Sequence, residues 1–309
     1  MIKFRKVLLI IAAAAIVYSI IPVLALYLQK SPVPYLNKQV IDKLAPNKGD
    51  YFEFVFLSDN QAGLIFNDSA SLKIIKNINR EDRFKKAPVD FILISGDVTF
   101  RGSAWDYKIF NKMRRAARFP VISAMGNHDN DKGGLERFKK YIGATEFSFS
   151  DRNSYFIVID TTENALSEAQ FAKFEEDLKK SLSYAHRFVC IHKPPLSPYQ
   201  QSWYKPELNP WSYRFMKLCE KYKVDMVLSG HEHMFREGVF GGVKYISSGG
   251  GGMMTTVPRW DGGSLHYTVV RVYGDYVDFE KREIFPPLWE FLTYYLWKDI
   301  FYFLKSVFI

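Results

Sequence analysis

The sequence has little cysteine, no internal repeat and no low-complexity tract. Its two cysteines among 309 residues, Cys190 and Cys219, lie in neither a CxxC motif nor the Cys/His spacing of a zinc finger. A cysteine-based redox or zinc motif is therefore not expected. Two buried free thiols are the favoured interpretation, and a disulfide between them in an oxidising compartment is the alternative.

The fingerprints of three large enzyme classes are also missing. The chain has no P-loop, no GxSxG nucleophile elbow and no Rossmann glycine fingerprint. Its glycine run at residues 249–252 follows a predicted strand and does not open a helix, so it is not a phosphate-cradling loop. Any chemistry must therefore come from other residues.

The body of the chain has little net charge. The net charge is +9, and residues 1–50 hold seven basic residues against two acidic ones, which leaves +4 for the rest. The body thus lacks the dense Lys/Arg stripe of nucleic-acid-binding proteins, and no nucleic-acid partner is expected. The basic residues instead flank a hydrophobic segment, where anionic lipid would attract them.

That hydrophobic segment, residues 7–28, contains no charged residue and follows Lys3, Arg5 and Lys6. As a helix its 22 residues reach roughly 33 Å, enough to cross a hydrocarbon core of about 30 Å. We therefore expect residues 1–28 to form a transmembrane anchor with a basic tail, and a cleaved secretion signal is the alternative. The basic tail favours a single-pass membrane protein with its body on the extracytoplasmic side. Residues 29–49, with three prolines, are expected to form a linker.

A second hydrophobic segment ends the chain. Residues 288–309 are rich in aromatic side chains but contain Glu290, Lys298, Asp299 and Lys305. Each charge near the centre of a spanning helix costs about 2.5–3.5 kcal/mol, so a second span is not expected. Glu290, Lys298 and Lys305 would share one side of a helix. This predicts that residues 286–309 form an amphipathic helix, either lying in the membrane interface or packed on the domain.

Between these ends, residues 50–285 alternate short apolar runs with helical patterns. This alternation predicts an α/β fold with an antiparallel section at its end. Helices are expected at residues 68–80, 103–117, 167–182 and 211–223. Strands are expected at residues 51–58, 89–95, 120–125, 155–160, 187–191, 224–229, 243–247, 265–273 and 276–282.

Polar residues follow five of these strands, at the edge where α/β proteins place their sites. Taken alone, each group has an ordinary interpretation as a turn or a helix cap. Together they collect four of the six histidines of the chain, which a metal site would explain. The groups are Asp59-Asn60-Gln61, Gly96-Asp97, Gly126-Asn127-His128-Asp129, His192-Lys193-Pro194 and Gly230-His231-Glu232-His233.

This ordered set resembles the motifs of the calcineurin-like metallophosphoesterase family, over residues 51–284. The family pattern runs Asp-x-His, Gly-Asp, Gly-Asn-His-Asp/Glu, a lone His and Gly-His-x-His, a highly specific combination. The resemblance implies an αββα sandwich of two mixed sheets flanked by helices. It also implies two divalent metal ions, with Mn²⁺ expected first and Mg²⁺, Fe or Zn as alternatives.

The resemblance implies a role for each matching residue. Asp97 would bridge the two metals, His128 would donate a proton or stabilise charge beside the phosphate, and Asp129 would orient His128. The first metal would bind Asp59, Gln61, Asp97 and His233, and the second would bind Asp97, Asn127, His192 and His231. Gln61 departs from the usual histidine, and its harder amide oxygen favours Mn²⁺ or Mg²⁺ at the first site.

The implied activity is metal-dependent hydrolysis of a phosphate ester or diphosphate by a hydroxide that bridges two metals. No Ser or Cys nucleophile is required. The substrate would be a phosphorylated small molecule or a lipid-linked, membrane-proximal diphosphate. A non-catalytic scaffold that retains the fold is the alternative function.

Overall fold

The computed structural model describes residues 2–30, 33–44, 49, 51–82, 89–163, 165–195, 210–286 and 290–308. Its α-helices are α1 Ile2–Leu28, α2 Asn37–Ile41, α3 Ile65–Asp82, α4 Ala104–Ala116, α5 Gly134–Tyr141, α6 Glu168–Ser181, α7 Pro210–Lys221 and α8 Leu296–Phe308. Its strands are β1 Phe52–Leu57, β2 Val89–Ile94, β3 Val121–Ser123, β4 Phe147–Asp151, β5 Ser154–Val158, β6 His186–Cys190, β7 Met226–Ser229, β8 Phe235–Phe240, β9 Val243–Ser248, β10 Leu265–Val272 and β11 Val277–Ile284. A π-helical turn, Phe291–Tyr295, leads into α8.

Two mixed sheets form the centre of the molecule. The first has the order β11-β10-β1-β2-β3, and the second has the order β4-β5-β6-β7-β9-β8. Strands β1, β2 and β3 run parallel to one another, as do β5, β6, β7 and β9. Parallel strands end at the same edge of a sheet, so each sheet presents several carboxyl ends together. The expected pair of mixed sheets is confirmed.

Alternating side chains along the strands build three hydrophobic layers. Phe54, Phe56 and Phe91 point between the sheets and meet Phe156 and Phe188 of the second sheet. The opposite faces of β1 and β2 pack under α3 and α4, while the outer face of the second sheet packs under α6 and α7. The result is a helix–sheet–sheet–helix sandwich.

The two cysteines lie on opposite faces of the second sheet. Cys190 points into the layer between the sheets, and Cys219 packs among the helices outside. Both thiols are buried and free. The interpretation as two buried free thiols is confirmed, and the disulfide is excluded because the sheet separates them.

The segment expected to be a linker is tied to the domain. The Asn37 amide donates to Ser123 O at 2.7 Å and accepts from Ser123 N at 3.1 Å, so α2 covers the exposed edge of β3. The fully buried guanidinium of Arg114 donates to Tyr35 O and to Asn37 Oδ1. The described part of this segment is therefore bonded to the domain, whereas a linker without such contacts was expected.

The last turns of α1 pack against the helices of the first sheet. Val23 and Leu26 are buried, the Tyr27 hydroxyl donates to Asp68, and Lys112 Nζ donates to Tyr27 O at 2.9 Å. Among the described residues we find no helix whose length and apolar character suffice to cross a membrane. The expected transmembrane anchor is therefore not supported.

Helix boundaries follow the capping signals in two cases and depart from them in a third. Ser103 and Ser167 cap α4 and α6, each within a reciprocal capping box. Asp68, where a helix was expected to begin, instead lies inside α3, which begins at Ile65. Its carboxylate is occupied by Gly63 N at 3.1 Å and by Tyr27, so it serves tertiary contacts and does not start the helix.

Candidate metal centre

Carboxyl ends of strands from both sheets meet at one edge of the sandwich. The first sheet contributes the residues that follow β1, β2 and β3, and the second contributes those that follow β6 and β7. All seven expected ligands lie in these loops; four of them are fully buried and Asn127, His231 and His233 are half-buried. They are Asp59, Gln61, Asp97, Asn127, His192, His231 and His233.

One group of ligand atoms surrounds the expected first metal position. Oxygen and nitrogen atoms of Asp59, Asp97 and His233 lie within 4.8 Å of one another. His233 Nε2 is 3.5 Å from Asp59 Oδ1, and Gln61 Nε2 is 3.3 Å from both Asp97 Oδ2 and His233 Nε2. These four side chains therefore enclose a space of the size that one metal ion occupies.

A second group shares Asp97 with the first. Ligand atoms of Asp97, His192 and His231 also lie within 4.8 Å of one another. His192 Nε2 is 3.3 Å from Asp97 Oδ1 and 3.2 Å from Asn127 Oδ1. Because the two oxygens of Asp97 face different groups, its carboxylate is placed to bridge two ions.

The donor atoms fit divalent metal ions. Asp59 Oδ1 and Gln61 Oε1 are buried and have no hydrogen-bond partner among the described residues, a costly arrangement that coordination would relieve. The Gln61 amide turns Nε2 toward Asp97 and His233, so rotating the amide by half a turn would present its oxygen there. Carboxylate, amide and imidazole together suit Mn²⁺, Fe and Zn²⁺.

The backbone of the ligand loops is strained. Asp59, Gln61, Asp97, His231 and His233 all adopt left-handed φ values, between 43° and 72°. Residues other than glycine rarely occupy this region of backbone conformation. Of the eight non-glycine residues that do so in the described chain, five are expected metal ligands. Concentrated strain of this kind is typical of functional sites whose surroundings hold the ligands in place.

Two glycines allow the loops to pack this closely. A Cβ atom on Gly126 would lie 2.3 Å from Asp97 Oδ1, and one on Gly230 would lie 2.6 Å from Asp59 Oδ2. Both separations are far shorter than a van der Waals contact. The glycines of the two motifs are therefore needed so that backbone can pass beside the carboxylates.

The site holds opposing charges in a buried space. Burial alone would raise the pKa of Asp97, but the nearby His192 and His128 hold it below its usual range. Burial would lower the pKa of His192, yet the charge of Asp97 outweighs this and raises it to about 9. Burial and the neighbouring His192 lower the pKa of His231 to about 4. Metal binding here would displace the proton of His192.

His128 lies at the open side of the centre. Its side chain is 38% exposed, and its Nε2 is 4.0 Å from Asp97 Oδ2. Its Nδ1 is 2.9 Å from Phe100 O, which fixes Nδ1 as the donor and turns Nε2 toward the site. The ring also stacks on Phe100, and the exposed guanidinium of Arg101 lies 4.9 Å from the centre of the Phe100 ring.

Asp129 does not orient His128 as the family resemblance implied. Its carboxylate accepts four hydrogen bonds, from Val98 N, Thr99 N, Thr99 Oγ1 and Gly126 N. It therefore ties the loop after β2 to the loop after β3, and the Phe100 carbonyl orients the imidazole. Burial and the charge of Asp97 raise the pKa of Asp129 to about 7.

One supporting residue was not expected from the sequence. The Thr161 hydroxyl accepts from His192 N at 3.0 Å and from Lys193 N at 2.9 Å, and so positions the loop that carries His192. Ser95 O, 3.0 Å from His192 Nδ1, directs Nε2 of that ring to the centre. Thr161 lies three residues beyond β5, so its place after a parallel strand was the available signal.

Comparisons with known proteins agree with this geometry. A "probable cyclic nucleotide phosphodiesterase" of Vesicomyosocius okutanii is 26% identical over 194 residues, covering 62% of this chain and 80% of that protein. A protein of the same description from Xenorhabdus bovienii is 26% identical over 156 residues, covering 47% of this chain and 61% of that protein.

Solved structures show the same fold. GAP50, the anchor in the inner membrane complex of Plasmodium, superposes with a TM-score of 0.55 at 17% sequence identity, covering 75% of this chain and 84% of that chain. At this identity the likeness concerns the fold alone. The family model for calcineurin-like phosphoesterases matches residues 52–235, which include every expected metal ligand, and the chain belongs to that family.

Proposed function

We propose that this protein is a phosphodiesterase that hydrolyses small phosphodiesters, cyclic nucleotides among them, with two divalent metal ions. The observation that carries the proposal is the convergence of six expected ligand side chains around Asp97, with two buried oxygens that lack a hydrogen-bond partner among the described residues. The names of the relatives support a phosphodiester substrate. Mn²⁺ is the expected metal because Gln61 adds an oxygen ligand in place of an imidazole.

The bound metals would activate water and neutralise charge on the phosphate. The residues of the chain would supply the remaining functions. Asp97 would hold both metal positions at a fixed separation. The half-exposed His128, with Nε2 directed to the site, is placed to give a proton to the leaving oxygen.

The decisive test combines metal analysis with turnover. We expect purified protein to bind two Mn²⁺ ions per chain and to hydrolyse bis-p-nitrophenyl phosphate and cyclic nucleotides. Asp97→Asn should abolish both properties. Asp177→Asn is the matched control, because Asp177 is equally buried but lies on α6 among lysines. Hydrolysis that survives in Asp97→Asn would contradict the proposal.

The scaffold alternative predicts a different outcome of the same test. A scaffold would bind neither metal nor phosphodiester, and Asp97→Asn would leave it unchanged. Asp59 Oδ1 and Gln61 Oε1 argue against it, because these buried oxygens lack a hydrogen-bond partner among the described residues, a cost that only a bound ligand such as a metal would repay.

A membrane-proximal substrate and an extracytoplasmic location are retained as proposals that rest on the sequence of the two ends. Turnover of a lipid-linked diphosphate, compared with turnover of water-soluble diesters, would separate the substrate classes. Faster turnover of the soluble esters would favour cyclic nucleotides and similar small molecules.

A further inference from the structure

The C-terminal helical segment, residues 290–308, is packed on the domain with its polar side inward. All four of its charged residues are buried or half-buried: Glu290, Lys298, Asp299 and Lys305. The side facing solvent carries large apolar residues instead, with Trp297 and Phe301 each 63% exposed. This is the reverse of a helix on the surface of a water-soluble domain, which turns its apolar side to the core.

Specific contacts fix this orientation. Lys298 Nζ donates to Thr255 Oγ1 at 2.7 Å and to Gly263 O at 3.1 Å. Asp299 accepts from Arg259 Nε at 2.9 Å. The hydroxyl of Tyr302 donates to Thr256 O at 3.0 Å. Turning the apolar side inward would break all of these bonds, so the exposed apolar side is a stable property of the fold.

The exposed apolar residues of the described chain are concentrated in two elements. Of the 24 exposed large hydrophobic residues, seven lie on α1 and six lie in residues 290–308. The remaining eleven are spread over the rest of the described chain. The six of the C-terminal segment are Leu292, Trp297, Ile300, Phe301, Phe303 and Leu304.

Both elements lie beside the same helix, α3. The hydroxyl of Tyr27, on α1, donates to Asp68 of α3. Lys73 of α3 donates to Pro286 O at 3.2 Å, and its charge acts on Glu290 at the start of the C-terminal segment. Both elements also pack on the hydrophobic layer outside the first sheet.

We propose that the outer side of α8 docks onto an anionic lipid bilayer, with Trp297 and Phe301 entering the interfacial region. Tryptophan and phenylalanine on one helix side are typical of interfacial helices. The inference does not depend on the proposed catalytic function.

Charge favours a bilayer over a second copy of the chain. The first 50 residues hold seven basic residues against two acidic ones, and the whole chain carries +9. Two copies of so basic a chain would repel each other in an isologous dimer, whereas anionic headgroups would attract the chain.

The test places a fluorescent label on the proposed face of the full chain. Phe301→Cys and, as the control, Val239→Cys would each carry an environment-sensitive dye, because Val239 is 71% exposed on the edge strand β8. Cys190 and Cys219 are fully buried and should not react. On vesicles of phosphatidylcholine with phosphatidylglycerol, the dye at 301 should shift to the blue and be quenched by brominated lipid. The dye at 239 should do neither.

A second pair of variants tests the energetics. Trp297→Glu with Phe301→Glu should weaken partition onto these vesicles roughly tenfold or more. The matched control, Val239→Glu with Phe240→Glu, adds the same charge and should change it little. Hydrolysis of a soluble diester should be unchanged in both, which separates this proposal from the catalytic one.

Three results would overturn the inference. One is a dye at 301 that stays in water while the protein is bound to vesicles. Another is equal partition of the two double variants. The third is a blue shift at 301 that grows with protein concentration without lipid, which would assign the face to a second copy.

Discussion

At the scale of single residues, the centre is built from residues whose backbone adopts unfavourable conformations. Five ligands have left-handed backbone, and the flanking glycines leave no room for a Cβ atom. The surrounding structure holds these residues in place. Substituting one ligand side chain for another should therefore be tolerated better than a substitution that alters the backbone of these loops.

Gln61 is the residue from which the expected preference for Mn²⁺ derives. We expect Gln61→His to shift selectivity from Mn²⁺ toward Zn²⁺ and to tighten Zn²⁺ binding by roughly tenfold, because imidazole is the softer ligand. Competition titrations with the two metals would measure this. Gln39→His, on the exposed side of α2, is the control. An unchanged Mn²⁺/Zn²⁺ ratio would mean that Gln61 does not coordinate.

His128 should act on the leaving group and not on metal binding. We expect His128→Asn to lower kcat by roughly 10²–10⁴-fold for an alkyl leaving group, which needs a proton. The loss should be much smaller for p-nitrophenolate, which leaves without one. Metal content should stay at two ions per chain. Equal losses for both leaving groups would show that His128 has another role.

At the scale of elements, the strand and helix patterns predicted most of the sandwich, and the two strands that they missed share a cause. Both β4 and β8, the unpredicted strands, are the two edges of the second sheet. Strand β8 is largely exposed and contains Gly238, so it lacks the apolar alternation on which the prediction depended. Central strands are covered on both faces, and their sequences are correspondingly largely apolar runs.

The clustering of the expected metal ligands could be predicted because each one follows a strand within a few residues. Their supporting contacts could not. The hydrogen-bond partner of His128 is a carbonyl 28 residues away in the sequence. The inward side of α8 is fixed by hydrogen bonds to Thr255 and Arg259, on a loop about 40 residues earlier. Periodicity shows that Glu290, Lys298 and Lys305 share a side, but only tertiary structure decides which way that side faces.

The buried Glu290 makes the C-terminal segment sensitive to pH. Burial raises its pKa to about 8 from a usual 4.5, so the folded protein binds this proton more tightly than the unfolded chain does. The protonated Glu290 therefore contributes its full stabilisation below pH 4.5, and this stabilisation is lost as the pH rises toward 8. Glu290→Gln should remove this loss, which we expect to be a few kcal/mol.

Urea unfolding at pH 5 and pH 8.5 would measure the difference. The wild type should lose more stability between the two than Glu290→Gln does. Glu136→Gln, which alters an exposed carboxylate on α5, serves as the control. The same pH dependence in all three proteins would contradict the assignment.

At the scale of the whole molecule, the two sheets contribute different chemistry to the centre. The carboxylate and amide ligands all follow strands of the first sheet, and the three imidazole ligands all follow strands of the second. Neither sheet alone can complete a metal position around Asp97. Bound metal would therefore join the two layers of the sandwich.

Metal removal should accordingly destabilise the whole domain. A ligand that binds only the folded state adds about 2.7 kcal/mol at a concentration 100 times its Kd. We expect the thermal midpoint to rise with added Mn²⁺ and to fall with a chelator. Asp97→Asn should lose this response, and Asp177→Asn should keep it. Calorimetry would measure the thermal midpoint. A midpoint that does not change with added Mn²⁺ would argue against a metal centre shared between the sheets.

The hydrogen bond from Tyr27 to Asp68 has a practical consequence for anyone who shortens the chain. Asp68 also holds Gly63, two residues beyond Gln61, so the end of α1 supports the loop that carries two metal ligands. A version trimmed at residue 28 for easier handling would leave Asp68 and Lys112 without these partners. Trimming should therefore stop before Val23, so that the last two turns of α1 stay in place.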